Sequence, residues 1–308
     1  MVAVIRSDVA IPLAVVTDEL SADPETALEL AAEMGIHAVE LRGIGPDRFP
    51  RVAEYWQQRL PGYLVRFDMR VISMSPGLFK IPLAPSHEPL WPDRGLRWRD
   101  WERHAEWRQQ RDRLEDHAGR LLQESLDWAR RLECPTVSCF SFLRPADAAD
   151  RACPQEVIAV LHAAAEQAQL AGVTLVLENE HVCYGDTGAA AAAIIDRVAH
   201  PNLALLWDPT NAYTAGETPY PDGYERVRGR VRHVQFKDAR WLPGGGYEYV
   251  TRGGVDWEGQ IAALRRDGYS GYISIETHAT PKVAGTRAHL ERLRMLLEGD
   301  PRAAADGT

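Results

Sequence analysis

Three segments of this sequence run apolar and then meet a carboxylate: Leu175-Val176-Leu177-Glu178, Leu205-Leu206-Trp207-Asp208 and Ile273-Ser274-Ile275-Glu276. Each reads as a short buried strand with an acid at its C-terminal end. A buried carboxylate is costly unless it is paired or bound to a metal, and three converging acids repel one another without a cation. A hard divalent ion such as Mg2+ or Mn2+ suits oxygen donors of this kind. Taken singly, each acid is also readable as an ion pair with a nearby Arg or Lys, or as a cap of the following helix. Three acids at matching strand ends favour the metal.

The elements that must position these groups repeat a short apolar strand followed by a helical segment. Strands are expected at Pro12 to Val16, Val39 to Arg42, Arg70 to Met74, Thr136 to Phe140, Val173 to Leu177, Leu203 to Trp207, Val231 to Phe236 and Tyr272 to Ile275. Asp23-Pro24 opens the first helix as N-cap and first helical residue, and Gly35 closes it. A proline-rich loop (Pro82, Pro85, Pro89, Pro92) precedes a long charged helix from about Trp98 to Leu132. A glycine-rich, hairpin-like insert spans Pro243 to Val250, and the last helix runs from about Arg287 to Leu297.

Strand–helix alternation without a linker-like break points to parallel β packed inside helices. The expected fold is α/β, a single-domain (β/α)8 TIM barrel over residues 1–300 with a frayed tail at 301–308. A doubly wound open sheet competes, but its GxGxxG and Walker-type fingerprints are missing. In a barrel, functional groups sit at the C-terminal strand ends. Those ends carry Thr17-Asp18-Glu19, Glu40-Leu41-Arg42, Ser75-Pro76-Gly77 with Lys80 beyond, and Ser141-Phe142. The later ends carry Glu178-Asn179-Glu180-His181, Asp208-Pro209-Thr210-Asn211, Gln235-Phe236-Lys237-Asp238 and Glu276-Thr277-His278.

Composition narrows the class of function. The chain has 308 residues, 45% hydrophobic and 26% charged, which fits a globular protein. Its longest apolar run, Ala189 to Ile195, falls far short of the ~18 residues of a membrane span. The net charge of −9 argues against nucleic acid, and the arginines between Arg94 and Arg113 are interleaved with acids as on a solvated helix face. The first residues lack the pattern of a signal peptide, and Cys134, Cys139, Cys153 and Cys183 show no CxxC pairing, so they read as small core residues. The expectation is a reduced, cytoplasmic protein without membrane or nucleic-acid partners.

The stretches Val39-Glu40-Leu41-Arg42, Leu177-Glu178-Asn179, Trp207-Asp208-Pro209-Thr210-Asn211, His233-Val234-Gln235-Phe236-Lys237-Asp238 and Ser274-Ile275-Glu276-Thr277-His278 resemble the xylose isomerase-like TIM-barrel superfamily. That family includes sugar-phosphate isomerases and epimerases, ketose 3-epimerases, hydroxypyruvate isomerase, inosose dehydratase and the apurinic endonucleases. The resemblance implies one divalent metal held by Glu178, Asp208, Gln235 and Glu276. The family commonly has a histidine where this chain has Gln235. An amide oxygen favours Mn2+ or Mg2+, with Zn2+ or Co2+ as the softer alternatives. Asn211 stands where the endonucleases carry a histidine, and Glu40, Arg42 and Ser75 replace their early-strand histidines, which argues against DNA repair.

The reaction this implies is isomerisation or epimerisation of a hydroxy-carbonyl sugar or sugar phosphate through a metal-stabilised enediolate. Glu178 and Glu276 would serve as the acid–base pair, with split apparent pKa values, while Lys237 and His233 polarise or anchor the substrate. Glu40, Arg42, Lys80, His181, Asn211 and Arg252 are the candidate substrate contacts, each also readable as a structural pair or loop residue. Trp91, Trp98, Trp101 and Trp107 either lid the pocket or anchor the long helix. A dehydratase or lyase of a keto-cyclitol or keto-sugar on the same scaffold, and a non-catalytic sugar-binding barrel, compete with this reading. The expected partner is a carbohydrate-like small molecule; homo-oligomerisation stays open.

Overall fold

The computed structural model describes residues 11–83, 98–145 and 152–299. Eight parallel strands close into a barrel: β1 (Leu13–Val16), β2 (Ala38–Leu41), β3 (Arg70–Leu78), β4 (Thr136–Cys139), β5 (Thr174–Glu178), β6 (Leu203–Trp207), β7 (Val231–Phe236) and β8 (Ile273–Ile275). Neighbours in the ring are neighbours in sequence, and β1 pairs with β8 to close it. The open-sheet alternative is thereby set aside.

Each strand leads to helix on the outside: α1 (Pro24–Glu33), α2 (Glu54–Arg66), α3 (Trp98–Asp116), α4 (Leu122–Arg131), α5 (Gln155–Leu170), α6 (Gly188–Val198), α7 (Pro209–Thr214), α8 (Tyr224–Val227), α9 (Trp257–Arg266) and α10 (Lys282–Glu298). Local chemistry starts several of them. Asp23 caps α1 by accepting from Thr26 N–H at 2.8 Å, and Pro24 is its first residue. Thr187 caps α6 and Asp208 caps α7 in the same way.

Strand alternation gives each barrel wall two faces. Outward side chains such as Val15, Val39, Leu177, Leu205 and Phe236 join the main core against the helices. Inward, Ala14, Ala38 and Ile72 plug the N-terminal part of the barrel beside Tyr272. That small apolar plug leaves the rest of the interior to polar side chains.

Several expectations shift in detail. The strand expected to end at Met74 runs to Leu78 through a register shift, with Gly77 taking a left-handed φ of +78° within the irregular stretch. The long charged helix is α3 and α4 joined by a π-helical turn at His117–Leu121. The last helix begins at Lys282, five residues before Arg287. The insert is a hairpin with strands Ala239–Trp241 and Tyr247–Tyr249, and a second small hairpin, Gly43–Ile44 with Asp47–Arg48, had no sequence signal. On α3, Glu102, Glu106 and Arg108 are exposed, as a solvated face requires. The cysteines are free; Cys134, Cys139 and Cys183 are buried, and burial pushes the Cys134 thiol up to about 12. Among the described residues no helix is long and apolar enough to cross a membrane. Pro85, Pro89, Trp91, Pro92, Arg94 and the tail 301–308 lie outside the described residues.

Candidate metal centre

Glu178 ends β5, Asp208 follows β6 and Glu276 follows β8, so all three reach the same mouth of the barrel. One carboxylate oxygen from each lies within 4.8 Å of the others, and all three residues are buried. Gln235 points inward from β7; its amide oxygen is buried and has no hydrogen-bond partner among the described residues. An unpartnered buried acceptor on the strand between those that lead to Asp208 and Glu276 is what an oxygen-ligated hard cation would satisfy.

Two cations of the protein already engage these acids. The Lys237 ammonium lies 2.7 Å from Asp208 Oδ2 and 2.5 Å from Glu276 Oε2, and only 2% of the residue is exposed. The Arg42 guanidinium donates to Glu276, to Glu19 Oε1 at 2.5 Å and to Asp18 Oδ1 at 2.9 Å. The ion-pair reading of Glu276 and Asp208 is therefore realised in the fold, alongside the geometry of a metal site.

The electrostatics separate the acids. Burial raises Glu178 well above the ordinary carboxylate range, and repulsion from Glu276 and Glu180 adds to it. Burial acts the same way on Glu276, but Lys237, His278 and Arg42 outweigh it and hold that carboxyl well below the ordinary range. Asp208 is raised by burial, with Lys237 opposing. Lys237 itself is held well above the usual lysine value: burial would lower it, and Asp208 and Glu276 more than compensate.

Supporting residues fix the acids in place. Asn179 clasps the start of α7 from β5: its Nδ2 donates to the Asp208 carbonyl and its Oδ1 accepts from Asp208 N–H, both at 2.8 Å. Asp208 Oδ1 accepts from Asn211 N–H at 2.9 Å, which leaves Oδ2 for a cation. Thr210 and Trp257 both donate to the Lys237 carbonyl.

The expected substrate contacts differ in where the fold leaves them. Glu40 is fully buried one layer down, where it meets His233 Nε2 at 2.9 Å and accepts from Gln235 Nε2 at 3.1 Å. Strand alternation sends Glu40 and Arg42 to the same side, and Glu40, two residues earlier, falls short of the rim. His233, expected among the catalytic residues, is buried and engaged with the same Glu40 carboxylate. Asn211 is turned to Asn179 O at 2.9 Å and Glu178 Oε1 at 3.4 Å, so it braces an acid. Arg42 is saturated by carboxylates, and Arg252 is exposed with no hydrogen bond or ion pair to the cluster among the described residues.

Lys80 and His181 do stand at the rim, each with a third of its side chain exposed, and both bind Glu180. Burial would raise Glu180, but the hydrogen bond from His181 and the Lys80 charge bring it down to about 2. Glu19, His278 and two tyrosines, outside the expected set, complete the mouth. Glu19, Glu276 and His278 form a second convergence of potential ligand atoms, and Arg42 lies among them. His278 adopts φ +49°, a strained backbone for a non-glycine residue, and its N–H donates to Glu19 Oε2 at 3.1 Å. From the hairpin, Tyr249 packs against His278 with ring centres 4.9 Å apart and planes tilted by 44°, and the Tyr247 hydroxyl lies 3.5 Å from His181 Nε2. Glu19 and His278 were visible as strand-end residues; the tyrosines carried no signal, because only the folding-back of the insert places them here.

A family profile for the xylose isomerase-like TIM barrel matches residues 28–296. The chain belongs to that family. Among solved structures, this xylose isomerase-like barrel is similar to an L-ribulose 3-epimerase, with a TM-score of 0.68 and 18% identity over 96% of this chain and 97% of that one. It is also similar to a probable 3-DHS dehydratase from Bacillus anthracis (TM-score 0.67, 15% identity, 92% of this chain and 99% of that one). A third is a xylose isomerase-like barrel from Mycobacterium smegmatis in complex with magnesium (TM-score 0.65, 16% identity, 93% and 96%). No curated protein sequence matches significantly. At these identities the likeness is one of fold, in a family that holds epimerases and a dehydratase.

Proposed function

We propose that this protein is a divalent-metal-dependent isomerase or epimerase of a small hydroxy-carbonyl sugar. One observation carries the reading: Glu178, Asp208 and Glu276 converge within 4.8 Å, and a buried, unpartnered Gln235 oxygen sits on the strand between those that lead to Asp208 and Glu276. These four residues would hold the ion, and their oxygen-only donor set suits Mn2+ or Mg2+. The magnesium-bound barrel and the epimerase of the same fold support this reading. Bound there, the cation supplies Lewis acidity that makes the C–H beside a substrate carbonyl more acidic.

The protein's own residues then manage the proton. Glu178 and Glu276, carboxyl groups that converge on one point of the mouth, are suited to accept it and return it. The two acids come from strands separated by β6 and β7, so they approach a bound molecule from different directions. Lys237 stabilises negative charge developing on a substrate oxygen, and Tyr247, Tyr249 and His278 wall the mouth.

The test is a panel of keto-sugars, inositols and hydroxypyruvate, with and without Mn2+, followed by mass spectrometry and chromatography. Isomerisation leaves the mass unchanged, and in deuterated water it places deuterium beside the carbonyl. Loss of water would replace the proposal with dehydration, and turnover without solvent exchange would replace the proton-transfer mechanism.

A further inference from the structure

Gln235 is an ambiguous ligand. Its amide offers an oxygen on one side and an NH2 on the other, the two are nearly equal in shape, and only the oxygen binds a hard cation. Something must decide which end faces away from the strand toward the cluster. The structure holds one group suited to decide it. Glu40, on β2 and fully buried, presents Oε1 to Gln235 Nε2 at 3.1 Å and Oε2 to His233 Nε2 at 2.9 Å. A carboxylate accepts only, so the NH2 end of Gln235 must turn to it and the oxygen must turn away. That oxygen is the atom left without a partner. His233, two residues before Gln235 on the same inward face of β7, holds the second oxygen of Glu40 and so fixes the plane of the carboxylate.

We infer that Glu40 is a positioning residue that locks the Gln235 amide with its oxygen presented as a ligand, and that His233 holds Glu40 for the purpose. The inference rests on the metal centre proposed above and gives a function to two buried polar residues that do not reach the mouth. Groups behind a ligand typically change metal affinity by ~10–100-fold when removed.

The test is Mn2+ binding to the purified full-length protein, by electron paramagnetic resonance or calorimetry, with no substrate present. Glu40→Gln is nearly isosteric, but its amide accepts Gln235 in either orientation; affinity should fall ~10–100-fold. The exchanged pair Glu40→Gln with Gln235→Glu restores a fixed donor–acceptor match and an oxygen ligand, and should bring affinity back to within a few-fold of wild type. Should Glu40→Gln fail to fold, Glu40→Asp keeps the charge but withdraws it, and affinity should still drop. Unchanged affinity in the folded single variant overturns the inference, as does an exchanged pair as weak as the single variant, since Glu40 would then act through packing alone. Wild-type protein that binds no Mn2+ sinks the metal centre itself, a result distinct from both.

Discussion

Replacing Lys237 by methionine removes one buried positive charge and leaves the acids it neutralises. The ammonium is 2.7 Å from Asp208 and 2.5 Å from Glu276, and both acids are buried. At an effective dielectric of ~20 each contact is worth about 6 kcal/mol of Coulomb attraction before desolvation is counted. Most of that offsets the cost of dehydrating three charges, and deleting one partner of such a buried set typically costs ~3–5 kcal/mol. For a chain of this size that corresponds to a Tm lowered by roughly 5–8 °C. A divalent cation on the same oxygens supplies the missing charge, so the loss belongs to the metal-free protein. Mn2+ at ~100 times its Kd should return about 2.7 kcal/mol. The assay is thermal unfolding of wild type and Lys237→Met in EDTA and in excess Mn2+. The variant should be much less stable in EDTA and should gain more from Mn2+ than wild type does. A variant that melts within about 2 °C of wild type in EDTA refutes the account, because ~3 kcal/mol cannot vanish from that comparison. Equal stabilisation of both proteins by Mn2+ would show that lysine and metal do not share ligands.

Glu276→Gln should keep most of its substrate binding and lose turnover by at least ~100-fold, since an amide ligates but does not shuttle protons; a KM-against-kcat comparison decides it. His117 Nδ1 accepts from Phe79 N–H at 2.9 Å, and burial keeps its pKa below the ordinary histidine value. Its contribution to stability is thus intact above about pH 6.5, the unfolded value, and is lost as the pH falls from there toward the folded value. His117→Asn should flatten the fall in Tm between pH ~7 and ~5, and an unchanged profile would remove His117 as its source. A Cβ on Gly253 would lie 2.1 Å from the Ala239 carbonyl oxygen, a backbone atom at the foot of the hairpin. Gly253→Ala should therefore cost ~1–3 kcal/mol, read as a lowered Tm; a wild-type Tm would mean that the loop moves aside freely.

The sequence by itself determined the barrel and the acids. Alternation of short apolar runs with helical segments is a local, periodic signal, and it specifies parallel strands wrapped in helices whatever the loops do. The topology then obliges every strand to deliver its C-terminal residue to one mouth, which is why Glu178, Asp208 and Glu276 were legible from their neighbours alone. Depth and partnership were not legible. Glu40 and Arg42 are two residues apart and face the same way, yet one is sealed against His233 and Gln235 while the other reaches Glu276, Glu19 and Asp18. Their fates depend on how far each strand is staggered around the barrel, a non-local quantity that no window of sequence carries. The same holds for Tyr247 and Tyr249, whose place over His181 and His278 is set by the hairpin folding back across the mouth. Whether the acids are neutralised by lysine, arginine or a metal is likewise decided only where strands distant in sequence meet, because charge compensation acts over a few ångströms of space.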